Sequence, residues 1–456
     1  MRVEHGIRSS DWNDIRTQAA TAESHGFDGV VTFELNNDPF MSLAIATTAT
    51  QRVQLGTAIA VCFPRSPMVV AHSAWDLHTQ SSGRFTLGLG TQVKGHNERR
   101  FSVPWTAPQP RLREYIQALR AIWRCWENNE PLDYRGEHYQ FTLMTPEFSP
   151  EKSNLHAIPV TIAAVGPAML RLAGQICDGV RLHSFATQKY ITEVALPEIE
   201  SGLAKSGRDR SSFEIWGGGF VATGADQKTL TQAREDIRAR IAFYGSTRTY
   251  LPVLALHGWE DLGSTLHQMS RQGLWSKMAA EVPDHVVDEF SIIAPPDELI
   301  PRVRERFQGQ TDTIALDLSS LPDKNDVHTL VAEIQDIDSQ FEQIEKELGR
   351  GTGEHVQQTV DNARLAREFG IRLKMNSVIT KLNYMEDMSE FILELKPERW
   401  KVFQVLEIDG QNDLSVGPLL LKDDEFEIFK CKHRSLIKKG LDVVFEDNDL
   451  MRGSYV

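Results

Sequence analysis

Thiols, long apolar runs and concentrated basic charge are what this chain lacks. Only four cysteines occur, at 62, 125, 177 and 431, at spacings that suit neither a zinc site nor an iron–sulfur cluster, and an intracellular setting argues against a disulfide framework. Cys62 alone adjoins a strand end; with no histidine or basic partner assignable to it, it reads as a buried thiol and not a nucleophile. No apolar run approaches the length that crosses a bilayer, and MRVEHGIRSSDW has no apolar stretch of a secretory leader, so the expectation is a soluble, cytoplasmic protein. Asp plus Glu number 63 against 49 Lys plus Arg, a net charge of −14. No segment gathers enough cations to follow a phosphate backbone, so nucleic acid and membrane drop out as partners and a small molecule remains. Gly88-Leu89-Gly90-Thr91 is glycine-rich without being GxGxxG, which removes a Rossmann reading.

What is present is a repeating βα rhythm. At 456 residues the chain is too long for one ordinary core, and two domains are the expectation. Residues 55–92 parse as one complete βαβ unit: a buried strand, a loop broken by Pro64 and Pro67, an amphipathic helix, a Ser82-Gly83 stop and a second buried strand. Strand-like runs recur at 2–6, 30–33, 55–59, 85–90, 158–164, 178–183, 213–222 and 313–318, with helical sequence after each but the last. That count predicts an α/β fold, a (β/α)8 TIM barrel over residues 1–322, followed by a smaller α/β fragment over 323–456. The fragment carries a charged helical stretch at 324–353, a second amphipathic helix at 356–369, strands at 372–379 and 400–406, and a last helix at 425–438.

Barrel chemistry sits at the carboxyl ends of strands. Three residues there can handle protons, Glu34, His96 and His183, each at or just after a predicted strand end. Gly166-Pro167 opens a helix; proline in the first turn leaves free N–H groups, and glycine admits close approach, a combination suited to a phosphate.

The stretches DGVVTFELNNDPF, LGTAIAVCFPRSPMVVAHSAWDLHTQSSGRFTLGLGTQVK, RLREYIQALRAIWRCW, TLMTPEFSP and IAFYGSTRTY, in this order, resemble the bacterial-luciferase-like superfamily, and within it the deazaflavin (coenzyme F-420)-dependent oxidoreductases. The resemblance spans about residues 1–320. It implies hydride exchange between a bound deazaflavin and a small organic substrate, or, as the alternative, an FMN-dependent monooxygenase using oxygen. It places a bulge with a non-prolyl cis peptide at Ala58-Ile59 under the cofactor ring, Thr91 and Gln92 beside that ring, and the backbone of Ala164, Val165 and Gly166 on the cofactor's phosphate, although many relatives carry glycine where Val165 stands. Glu34 aligns with an active-site histidine of some relatives. The glutamate that others place after the fourth strand is replaced here by Val93 or Lys94, so that acid does not transfer. A homo-oligomer is the family habit.

GRGTGEHV, RLKMNSVITKLNYMEDM and LKPERWKVFQVLEIDGQND give residues 335–456 a separate resemblance, to the later part of viperin-type radical-SAM enzymes. It implies triphosphate contacts at Arg350, Lys374, Asn376, Arg399, Lys401 and Tyr455, cations and polar groups apt for that charge. The CxxxCxxC motif of those enzymes is absent, so no iron–sulfur cluster and no radical chemistry are expected. The tail therefore reads as a truncated module for nucleotide binding or interaction.

Overall fold

The first three helices begin where a short polar side chain meets the first free N–H groups. Asp11 accepts from Asn13 and Asp14 N–H ahead of the helix Trp12–Ser24, Asp38 from Phe40 and Met41 ahead of Pro39–Ala49, and Ser66 from Met68 ahead of Pro67–Gln80. Proline stands in the first turn of the last two, where its missing N–H costs nothing. Between the helices run short strands buried along most of their length, such as Gly29–Thr32 and Gly179–Leu182. In the computed structural model the described residues are 1–208, 210–316, 318, 321, 324–347, 373–381, 383–384, 388–405 and 419–447.

Eight parallel strands close into a ring in chain order: β1 (Arg2–Ile7), β2 (Gly29–Thr32), β3 (Gln54–Thr57), β4 (Phe85–Gly90), β5 (Val160–Ala164), β6 (Gly179–Leu182), β7 (Glu214–Gly217) and β8 (Thr313–Leu316). Leu55 lies beside Phe85, Thr161 beside Gly179, Trp216 beside Thr313, and Thr313 beside Arg2, which closes the circle. This is the expected TIM barrel. Two details depart from the sequence reading. The strand expected over 213–222 breaks at Gly217, Gly218 and Gly219, all at positive φ, and resumes as Phe220–Thr223. That extension pairs with Ser291–Ala294, a strand the sequence reading missed because four residues offer too little periodicity.

The barrel interior holds a buried charge pair. Arg181 donates to Glu4 at 2.9 and 3.3 Å, Trp216 Nε1 donates to the same carboxylate at 2.9 Å, and the guanidinium lies 4.8 Å from the Trp216 ring centre. Room for these long side chains comes from glycine: a Cβ on Gly56 would meet Arg181 at 3.1 Å, and one on Gly179 would meet Trp216 at 2.4 Å.

The chain divides into two units after Asp338, not at 322/323. The reason is packing: the helix Lys324–Glu347 starts on the barrel, with Val327, Leu330, Val331, Ile334 and Ile337 in its core cluster, and Gln335 donates to Gly26 O and Asp28. In the second unit, β9 (Lys374–Ile379), β10 (Arg399–Gln404) and β11 (Asp442–Glu446) form a three-stranded parallel sheet. Its core joins Trp400 and Val402 to Phe426, Phe429 and Leu436 of the helix Asp423–Lys438. The helix expected over 356–369 lies outside the described residues. Among the described residues no helix is long and apolar enough to cross a membrane.

Candidate active site

The mouth of the barrel is shaped first by a fault in the β3–β4 ladder. Gly56 pairs with Thr86, but Ala60 pairs with Leu89, so β3 carries one residue more than β4 across the gap. That extra residue is a bulge, and inside it the Ala58–Ile59 peptide is cis. Thr57 bridges the gap with its side chain, donating to Gly88 O at 2.6 Å and accepting from Gly88 N–H at 2.9 Å. A Cβ on Gly88 would stand 2.0 Å from Thr57 O, so the wall requires glycine there, and one on Gly90 would stand 2.4 Å from the Ile59 side chain, which would have to move.

Glu34 braces that turn. One of its oxygens accepts from Val61 N–H at 2.6 Å, and Arg65 Nη1 reaches both at 2.9 and 2.7 Å. Arg65 in turn donates to Val61 O and, through Nη2, to Asp38 at 2.8 Å. With its side chain 7% exposed and both oxygens engaged, Glu34 is committed to an ion pair. Arg65, 31 residues away, holds the carboxylate that the sequence reading offered for proton handling. Cys62 lies at the same turn, its Sγ 3.2 Å from Gly90 O, and burial pushes its thiol up to about 12, which keeps it protonated and unreactive.

After β4 the chain bends through Gln92, a non-glycine residue at φ +55°, whose Oε1 accepts from Val93 N–H. Asn97 fastens this bend, donating to Thr91 O at 2.8 Å and Val93 O at 3.2 Å from a fully buried position. Its Oδ1 has no partner among the described residues. His96 stands exposed on the same short helix, Lys94–Arg99, and helical phase gives the buried place to its neighbour. After β5, Ala164, Val165 and Gly166 turn into the helix Pro167–Ile176, whose N-terminus has no side-chain cap. Nothing lies within 4 Å of where a Gly166 Cβ would be, so there is room beside this uncapped helix start, the kind of terminus that can accept an anion. Tyr190 fixes the turn by donating to Val165 O at 2.7 Å, and burial raises its hydroxyl to about 12, so it remains a donor. Neither Asn97 nor Tyr190 was visible as a site residue: their work is on backbone carbonyls distant in the chain.

His183, the third residue offered by the sequence for proton handling, directly follows β6. Its Nδ1 accepts from Phe185 N–H at 2.9 Å, which assigns the hydrogen to Nε2. Tyr244 meets the ring edge-on at 4.4 Å and Tyr250 tilts against it at 4.9 Å. Burial pulls the imidazole down to about 4, so at neutral pH it is an uncharged N–H donor. Ala58, Ile59, Thr91, Gln92, Ala164, Val165 and Gly166 arrive with it at one end of the barrel, at the carboxyl ends of neighbouring strands.

A family model described as luciferase-like monooxygenase matches residues 2–313. The chain belongs to that family. The luciferase-like match ends with the barrel and leaves the viperin resemblance of the tail unsupported. A protein of Mycobacterium tuberculosis, itself uncharacterised, is 45% identical over 296 residues, 65% of this chain and 87% of that protein. A 5,10-methylenetetrahydromethanopterin reductase of Archaeoglobus fulgidus is 31% identical over 304 residues, 64% of this chain and 86% of that protein. The solved coenzyme F-420-dependent tetrahydromethanopterin reductase of Methanopyrus kandleri aligns with a TM-score of 0.60 at 19% identity, over 75% of this chain and 99% of that one, a likeness of fold. The barrel is thus that of a luciferase-like oxidoreductase.

In the second unit, register sets Lys374 beside Arg399 and Asn376 beside Lys401 on one face of the sheet. Arg399 pairs with Asp442 at 2.5 Å and Lys401 with Glu446 at 2.7 Å. Arg350 and Tyr455 lie outside the described residues.

Proposed function

We propose that the barrel exchanges a hydride between coenzyme F-420 and the carbonyl or carbinol carbon of a small organic substrate. The observation that carries this reading is the joint presence, at one end of the barrel, of an uncapped helix start opening on free space at Gly166 and a neutral N–H donor at His183. The first suits the cofactor's phosphate; the second suits a substrate oxygen, on which negative charge grows as hydride arrives. Ala58 and Ile59 would back the deazaflavin ring, Thr91 and Gln92 flank it, and Ala164, Val165 and Gly166 hold the phosphate. The cofactor, when bound, supplies the hydride. His183 orients and polarises the substrate oxygen without charging, because its low basicity keeps Nε2–H in place, and the proton that completes an alcohol comes from solvent. Glu34 acts through Arg65 on the Ala58–Ile59 turn. The 31% identical reductase supports this reading over the FMN-dependent, oxygen-using alternative, which the family's own description keeps in play.

Fluorescence titration of the purified protein with coenzyme F-420 and with FMN tests it. Tighter binding of coenzyme F-420 is expected. Tighter binding of FMN, with oxygen consumed once that FMN is reduced, would replace the reading with the monooxygenase.

For the tail, the shared face of Lys374, Asn376, Arg399 and Lys401 favours a second reading, nucleotide triphosphate binding. Asp442 and Glu446 already neutralise two of its cations, so it ranks below the first. Calorimetry with CTP on the full chain, against an Arg399→Ala, Lys401→Ala variant, decides it; equal heats from both would end the reading.

A further inference from the structure

From His183 a run of touching aromatic rings leads out of the barrel mouth. Tyr244 packs edge-on against His183 at 4.4 Å, Phe243 against Tyr244 at 5.3 Å, and Trp275 against Phe243 at 5.9 Å, with Tyr250 beside both His183 and Tyr244 at 4.9 and 5.8 Å. These rings come from three separate places: the end of the helix Gln227–Gly245, the turn Arg248–Tyr250, and the start of the helical stretch Trp275–Glu281. None is needed to close the ring of strands. The outer two, Phe243 and Trp275, are each 53% exposed, although a core lies beneath them in which Phe185, Val253, Leu254, Leu266 and Met278 are fully covered. Folding therefore leaves two large aromatic faces wet at the outer end of a run whose inner end is a hydrogen-bond donor. The hydroxyls of Tyr244 and Tyr250 have no protein partner among the described residues. Edge-on and tilted packing leaves ring faces available to a further ring, the geometry aromatic pairs prefer.

We propose that this ladder is the substrate subsite, and that the substrate class is a neutral, planar aromatic ketone or aldehyde, or the matching alcohol, whose oxygen meets His183 and whose ring system lies along Tyr244, Phe243 and Trp275. The proposal rests on reading the mouth as the place of hydride exchange, and extends it to the choice of substrate. A neutral ligand fits because the ladder itself contributes no charged group. An aromatic one fits because stacking rewards a planar π face, whereas an aliphatic chain of equal area gains only its burial. The two tyrosine hydroxyls add polar positions for ring substituents.

The test uses the full chain, with 2-acetylnaphthalene as the aromatic probe and cyclohexanone as the aliphatic one, each titrated by calorimetry in the presence and absence of coenzyme F-420. The aromatic ketone is expected to bind more tightly. Phe243→Ala with Trp275→Ala should weaken it about tenfold, the loss of roughly 1.4 kcal/mol of ring contact, while cyclohexanone changes less than about twofold. Trp275→Phe in the otherwise native chain should keep most of the affinity. Both truncated residues are half in solvent, and a far-ultraviolet dichroism spectrum with an unchanged melting temperature verifies folding. Equal affinity for the two ketones, or equal weakening of both by the double variant, would overturn the proposal. If coenzyme F-420 binds and the ladder variants discriminate nothing, the subsite falls and the hydride reading stands. If coenzyme F-420 fails to bind and the discrimination persists, the reverse holds.

Discussion

The two ends of this barrel treat polar groups in opposite ways. Toward the amino ends of the strands, Glu4 is shared by Arg181 and Trp216, Arg2 pairs with Glu214, and Asp312 takes Arg210 together with Ile215 N–H. At the carboxyl ends, His183 Nε2–H and the uncapped helix start at Gly166 have no side-chain hydrogen bond among the described residues, while the groups that are paired, Glu34 with Arg65 and Tyr190 with Val165 O, hold backbone turns. A polar group buried without a partner costs free energy, so the groups left open are those a ligand can complete. Charge pairing holds one end of the barrel closed, even though Arg181 Nε has no partner there among the described residues; the other end keeps fewer of its polar groups paired.

The comparison is most sharply broken by unpairing the interior. Glu4→Ala strands the Arg181 guanidinium in the barrel, and a loss of about 3–5 kcal/mol is expected in urea unfolding, with cofactor affinity unchanged in whatever fraction remains native. Next in size is the mouth donor. His183→Phe should lower kcat/KM by about 100-fold, the scale of removing one donor to a developing oxyanion, with little change in the melting temperature. Arg65→Met comes third: it leaves Glu34 unsatisfied beside the Ala58–Ile59 turn, for about 1–3 kcal/mol of stability, and here, unlike at Glu4, cofactor affinity should fall as well. Smallest is Tyr190→Phe, about 1 kcal/mol, visible as a modest rise in the cofactor Kd.

Acid provides a further probe of the same contrast. The imidazole of His183 sits at about 4 in the native state against an ordinary 6.5, so its folded value is the lower. Its contribution to stability is fully present above 6.5 and is lost as pH falls from there through about 4. Activity should accordingly show no histidine titration between pH 6 and 8. A kcat/KM profile with a basic limb near 6.5 that disappears in His183→Phe would show that this residue is not the buried neutral donor.

The barrel was legible because its strands are short apolar runs, each bounded by turn residues, as at Val30-Val31 and Leu87-Gly88-Leu89; burial on both faces writes that pattern directly into the sequence. The order of those runs gave the ring, and the motif around Ala58-Ile59 marked the turn where the cis peptide is found. The site was only half legible. One position of helical phase exchanged exposed His96 for buried Asn97, and no local pattern resolves one residue in so short a helix. Glu34 looked available because Arg65 is 31 residues away, and Tyr190 looked idle because Val165 is 25 residues away. The domain limit moved from 322 to 338 for a related reason: charge along 324–353 suggested a separate element, while the apolar stripe from Val327 to Ile337 belongs to the barrel.

By itself, then, the sequence determined the count and order of the barrel strands, the α/β class and the stretches that reach the mouth, since hydrophobic period and turn chemistry act locally. Which polar groups at that mouth are spent on each other and which stay open for a ligand was decided only by tertiary structure. Hydrogen bonds and ion pairs act over about 3 Å, and it is the closed ring of strands that brings residues from distant parts of the chain within that reach.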